Sequence, residues 1–220
     1  MDKTTIRIFF EKRDRAKYIS HLDITRCFSR TFARSGIPVW YTQGFNPRVY
    51  MTFPLPIPLG YESLCESLDI QLVEENYPLE QVKERLNAIL PAGITVLEVV
   101  VPQDKPETIA LADYQIRFLT PQPEQLLADF AAFAAQEAIL VTKKTKKAER
   151  ELDLRPLFTL LDTASDGEAA TLTLRLAAGI TLNVNPQLLL DAFAAHSGRT
   201  DLDCRVLRTA ILRQDGSRWN

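Results

Sequence analysis

The chain has 220 residues, 46% hydrophobic and 25% charged, a composition that suits one large or two small globular domains with a real core and argues against a disordered chain. No apolar run approaches the ~20 residues of a membrane span, there is no secretory apolar core near the start, and three scattered cysteines are too few for a four-cysteine metal site, so a cytoplasmic protein without a membrane or metal is expected. The net charge of −2 conceals segregation: residues 1–60 hold ten Lys/Arg against four Asp/Glu, residues 61–142 four against fourteen, and residues 143–220 twelve against ten.

Thr4–Lys12 alternates, with Ile6, Ile8 and Phe10 against Arg7, Phe9 and Glu11, and predicts a strand. Ser20 to Ser35 predicts a helix. Ser20 and Asp23 stand in capping-box spacing, Ile24, Cys27, Phe28 and Phe32 form the apolar stripe, and Gly36 is a natural stop. Residues 38–42 and 49–53 predict short strands around a Gly44–Pro47 turn. Then follow a strand at 67–73, an amphipathic helix at 79–90 and a strand at 94–101. Residues 103–112 read as a linker, after which the order repeats: strand 114–119, helix 123–136, strand 138–142, strand 171–177, helix 186–195 and strand 205–213. The expectation is an α+β protein of two tandem ferredoxin-like (βαββαβ) subdomains with antiparallel sheets. The first spans 1–102 and the second 113–220, with a basic insertion at 143–170.

Polar groups concentrate in residues 19–66. Arg26, Arg30 and Arg34 recur every four residues on one helical stripe, with Asp23 three before the first. Such a stripe suits phosphates, or carboxylates such as Glu62 and Glu66. His21 opens the same helix and reads either as a general acid/base or as a packing residue. Y-T-Q-G-F-N-P-R presents Gln43, Asn46 and Arg48 among Trp40, Tyr41 and Phe45. That mixture suits RNA bases stacked on rings, and equally a rigid turn whose amides satisfy the backbone. The Pro-rich P-L-P-I-P-L-G-Y-E-S, turning at Gly60, reads as a rigid frame. The run Lys143, Lys144, Lys146 and Lys147 reads as a basic arm on nucleic acid or a solvated loop, and Arg155-Pro156 follows it.

These residues resemble a radical SAM-linked family of unknown function. In that family the domain is fused to, or encoded beside, a cobalamin-binding-type radical SAM protein, often near genes for ribonuclease E/G and ribosomal proteins. The matching positions are His21, Asp23, Arg26, Arg30, Gln43, Gly44, Asn46, Pro47, Gly60, Glu62, Arg155 and Pro156. Arg48 stands where relatives often carry His. The resemblance implies a radical SAM protein as partner. The chain lacks a CxxxCxxC motif and so is not itself the radical enzyme.

The expected function is therefore an accessory RNA-binding protein that works with a radical SAM enzyme on tRNA or rRNA. The phosphate contacts would come from Arg26, Arg30, Arg34 and the lysine run, and the base or partner contacts from Tyr41, Gln43 and Asn46. Gly44, Pro47, Gly60 and Pro156 are expected to be structural, and no cofactor is expected. Two rivals stay open: a metal-independent endoribonuclease resembling CRISPR repeat-processing enzymes with His21 as acid/base, and a protein-only assembly partner.

Overall fold

The computed structural model describes residues 3–144, 149–180, 182–199 and 202–220, with the backbone alone at 143, 144, 149 and 150. It is a mixed α+β protein with four α-helices among the described residues, and it divides into two compact units. The first comprises residues 1–108 with 219–220, and the second residues 109–218. The expected linker is thus partly structured: β5 already begins at Leu111, and Ile109 and Ala112 are buried.

The first unit runs β1 (Thr4–Lys12), α1 (His21–Ser35), β2 (Met51–Thr52), β3 (Glu62–Leu72), α2 (Leu79–Asn87) and β4 (Ile94–Val100). β1 lies between β4 and β3, β2 pairs with β3, and all of these pairings are antiparallel. Ile6, Ile8 and Phe10 of β1 share a core with Leu68, Ile70 and Leu72 of β3, Ile24, Phe28 and Phe32 of α1, and Val82 and Leu86 of α2. α2 stops at Asn87, short of the predicted 90. The Asn87 side chain accepts from Val96 N at 2.7 Å and donates to Val96 O at 2.9 Å, tying the helix end to β4.

The other face of β1 is also buried, which the alternation does not predict. Arg7 is 1% exposed, and its guanidinium makes two 2.7 Å hydrogen bonds to Asp69, directly across on β3. A third goes to Asp104 O at 3.0 Å, and the Trp219 ring lies 3.7 Å away. The planar fork and the aromatic face together satisfy a buried cation.

The second unit runs β5 (Leu111–Leu119), α3 (Pro123–Ala134), β6 (Leu140–Lys144), β7 (Glu149–Asp153), β8 (Phe158–Ser165), β9 (Ala169–Ala177), α4 (Pro186–Ser197) and β10 (Cys204–Leu212). Its sheet has the order β10-β5-β9-β8, all antiparallel. The strand predicted at 138–142 does not join this sheet. It shifts to 140–144 and pairs with β7 in a separate ribbon, while β8, from within the predicted insertion, takes the place beside β9. β8 escapes a pattern reading because all but its first and third residues are exposed. Phe130, Phe133, Phe158 and Phe193 fill the core under α3 and α4.

Each unit clamps its first strand to a neighbouring strand of its sheet with one bidentate pair. Arg7 on β1 meets Asp69 on β3; Asp113 on β5 meets Arg175 on β9 at 2.7 and 2.8 Å. The partners are 62 residues apart in both, with the charges exchanged.

Candidate functional site

The start of α1 is fixed by buried charge rather than by apolar packing alone. Lys12 continues the inward phase of Ile6, Ile8 and Phe10 and is 3% exposed. Its ammonium donates to Ile19 O at 2.9 Å and Lys17 O at 3.4 Å. Burial pushes its pKa below the usual lysine value, and the charge of Glu66 works in the opposite direction. Glu66 is 4% exposed and accepts from Ile57 N at 3.1 Å. Gly60 N donates to Lys17 O at 2.9 Å. The two segments 17–19 and 57–60 are therefore pinned together on the ends of β1 and β3. Gly60 has φ +90°, which a side chain would strain.

Glu62 and Glu66 do not turn to the arginine stripe as expected. Glu66 points inward, and Glu62 accepts from Asp14 N at 2.7 Å, 3.8 Å from Arg13 Nε. Asp14 has φ 52°, so Glu62 stabilises a strained turn that leads into the helix. Lys12 went unrecognised by pattern reading, although its position in phase with three core residues was a usable signal.

Ser20 caps α1 as predicted, accepting from Asp23 N at 3.2 Å. The Asp23 carboxylate does not reach back to the backbone. It accepts from the Ser20 hydroxyl at 2.7 Å and from Arg26 at 3.0 Å. These contacts, the Ser20 bond first and the Arg26 bond second, hold its carboxyl below the usual range. Its contribution to α1 is thus complete above the unfolded pKa, ~3.9, and is lost as pH falls through the lower folded value. Replacing Ser20 by Ala is expected to cost about 1 kcal/mol in urea unfolding.

Arg26, Arg30 and Arg34 are all exposed on α1. Arg26 pairs with Asp23, and Arg34 Nε donates to Arg30 O at 3.2 Å. Among the described residues, no carboxylate lies within ion-pair distance of Arg30, Arg34, Arg48 or Arg15. His21 is exposed and stacks edge-on against Phe53 at 4.9 Å. The cavity beside it, lined also by Lys12 and Glu66, is about 10 Å³, at the lower limit for one water.

The chain between α1 and β2 folds into an arm. Val39 bridges to Leu72 and Tyr41 to Val49; Trp40 N donates to Gln71 O at 2.7 Å. Thr42 N donates to Arg48 O at 2.8 Å, and Arg48 N to Thr42 Oγ1 at 3.1 Å. Val39 and Val49 bury themselves in the core that α1 covers, so arm and helix share one foundation. The Trp40 and Tyr50 rings meet at a tilt, 5.6 Å apart, with Lys3 over the Trp40 ring at 3.4 Å. Gly44 turns the tip with φ +131°, and Pro47 follows Asn46 there. Gln43, Asn46 and Arg48 are exposed, and among the described residues their side chains make no hydrogen bond. The turn thus forms without the amide–backbone bonds that the structural alternative requires.

The remaining predicted residues belong to the second unit. Arg155 is half-buried, with its guanidinium 5.8 Å from the Phe158 ring. Asp153, unnoticed in the sequence, accepts from Ile139 N at 2.8 Å and Arg155 N at 2.9 Å, and these backbone bonds lower its pKa. The D-L-R-P run thereby ties the end of β7 to the residue before β6, and Pro156 occupies the short 3-10 turn of 155–157. Lys143 and Lys144 lie in β6; Lys146 and Lys147 fall outside the described residues. His196, in the last turn of α4, rests on Phe133 with ring centroids 5.5 Å apart.

Burial raises the Cys27 thiol pKa and pushes that of Cys204 up to about 11, with Asp203 adding to the latter, so neither is poised as a thiolate nucleophile. Among the described residues, no three His, Cys, Asp or Glu side chains group to hold a metal ion. No helix among them is long and apolar enough to cross a membrane.

Residues 5–186 match the family described as "Uncharacterized protein conserved in bacteria (DUF2344)". The chain belongs to this family. The DUF2344 match thus includes the whole of α1, the arm, the Pro-rich frame and the D-L-R-P turn. No curated protein matches the chain. A solved structure, "Crystal Structure of an Unknown Protein from Galdieria sulphuraria", aligns over 94% of this chain and 99% of its own at 14% identity. Its TM-score of 0.28 is too low for any inference.

Proposed function

We propose that this DUF2344 protein is an accessory RNA-binding protein that works in the cytoplasm with a radical SAM enzyme, in tRNA or rRNA modification or maturation. The observation that carries the reading is a set of exposed arginines without carboxylate partners and of amides without hydrogen bonds, all on one unit. Arg30, Arg34 and Arg48 lack carboxylate partners, and Gln43 and Asn46 lack hydrogen bonds, on elements that are themselves rigidly held. Guanidinium groups without a carboxylate partner suit phosphates, and free amides suit base edges.

The radical SAM partner rests on the family resemblance. Tyr18, Leu22 and Leu59 add support, because they are large apolar side chains left exposed around the pinned start of α1. The strand order in each unit supports a reading as two ferredoxin-like repeats, as does the repeated arginine–aspartate clamp. Catalysis by His21 has less support: its ring contact is Phe53, and no described carboxylate hydrogen-bonds to it.

Purified protein mixed with total small RNA is expected to shift it in a native gel, and the Arg26→Ala/Arg30→Ala pair to weaken the shift at least tenfold. No shift by the parent protein would overturn the RNA reading. An undiminished shift by the pair would remove α1 from it.

A further inference from the structure

Resting on the RNA reading, we propose that the RNA is single-stranded where it meets this protein, with Phe45 the platform on which one of its bases stacks. Phe45 is 105% exposed, more than any other large apolar side chain described. It stands at the tip of the arm, between Gln43 and Asn46, and Tyr41 and Tyr50 lie exposed lower down. A solitary surface phenylalanine is ordinary. This one sits on a tip closed by Thr42–Arg48 hydrogen bonds and turned by a glycine in the left-handed region, so the ring is presented and cannot fold back into a core. On either side of it are two amides and a guanidinium with no partners within the protein.

That arrangement distinguishes between forms of RNA. A duplex keeps its bases stacked on one another and is recognised by its shape, its phosphates and its 2′-hydroxyls, none of which uses a projecting ring. An unpaired nucleotide offers a free face to Phe45 and a free edge to the Gln43 and Asn46 amides, and Arg48 is placed for an adjoining phosphate. The stacking contact is tolerant of sequence, because every base has a face; any preference then comes from the amides.

The test compares a short, non-self-complementary RNA oligonucleotide with the same strand annealed to its complement, by fluorescence anisotropy with the full chain. The parent protein is expected to bind the single strand at least tenfold more tightly. Phe45→Leu, which keeps an apolar side chain on an exposed site and leaves the fold intact by circular dichroism, is expected to lower single-strand affinity about ten- to a hundredfold and to leave duplex binding unchanged. Phe45→Trp is expected to retain single-strand binding. Equal binding of both forms, or single-strand binding indifferent to Phe45→Leu, overturns the inference, leaves the RNA reading standing, and hands the ring to a protein partner. Binding to neither form overturns the RNA reading and this inference together.

Discussion

Replacing Asp69 by alanine is expected to destabilise the protein by about 3–5 kcal/mol, more than any other single surface-adjacent change in the first unit. The reason is what remains behind. Arg7, 1% exposed, would lose both bonds of its bidentate pair and keep only Asp104 O and the Trp219 face. A guanidinium cannot shed its proton to escape burial, so the whole desolvation cost falls on the folded state. Arg7→Met/Asp69→Leu, which removes both charges and fills the space, is expected to recover most of the loss. Urea unfolding of the three variants checks both statements. A loss below about 1 kcal/mol for Asp69→Ala would mean that the clamp contributes no more than an exposed pair does.

Lys12→Met is the second large effect, about 3 kcal/mol, and it reaches the candidate site. The substitution removes the bonds to Ile19 O and Lys17 O together with a buried cation whose charge interacts with that of Glu66. The segment that carries Ser20, and so the cap of α1, loses its anchor to β1. Amide hydrogen exchange is expected to accelerate through residues 19–24 ahead of the rest of the helix. The pH dependence has a definite sign. Burial lowers the Lys12 pKa in the folded state, so the unfolded chain holds its proton more tightly. Stability from this group therefore rises as pH climbs from the folded pKa towards the ordinary value of 10.5, and Lys12→Met abolishes that rise.

The sequence made the local structure of α1 readable almost residue by residue. Ser20, Asp23, the Ile24/Phe28/Phe32 stripe and Gly36 each act within one or two turns of chain, where pattern and physics coincide. The exposed arginines were readable for the same reason. Arg7, Lys12 and Glu66 were not, since a charged residue in a strand reads as solvent-facing until its partners are known. Those partners lie 62 residues away for Arg7, and in loop carbonyls for Lys12. The second unit shows another limit. Alternation identified a strand near residue 140 but could not say which strand it pairs with, and the exposed edge strand β8 carries almost no apolar signal. Signature residues then divided by role. Glu62, Gly60 and Pro156 shape backbone, whereas Gln43, Asn46 and Arg30 make no side-chain bond within the protein.

The salt dependence of RNA affinity tests the functional account most directly. If Arg26, Arg30, Arg34 and Arg48 each neutralise one phosphate of a single strand, the logarithm of affinity falls against the logarithm of salt with a slope of about −3. Each arginine replaced by alanine then reduces that slope by about one contact's share. A flat salt dependence, or a slope unchanged in the Arg26→Ala/Arg30→Ala protein, would contradict it.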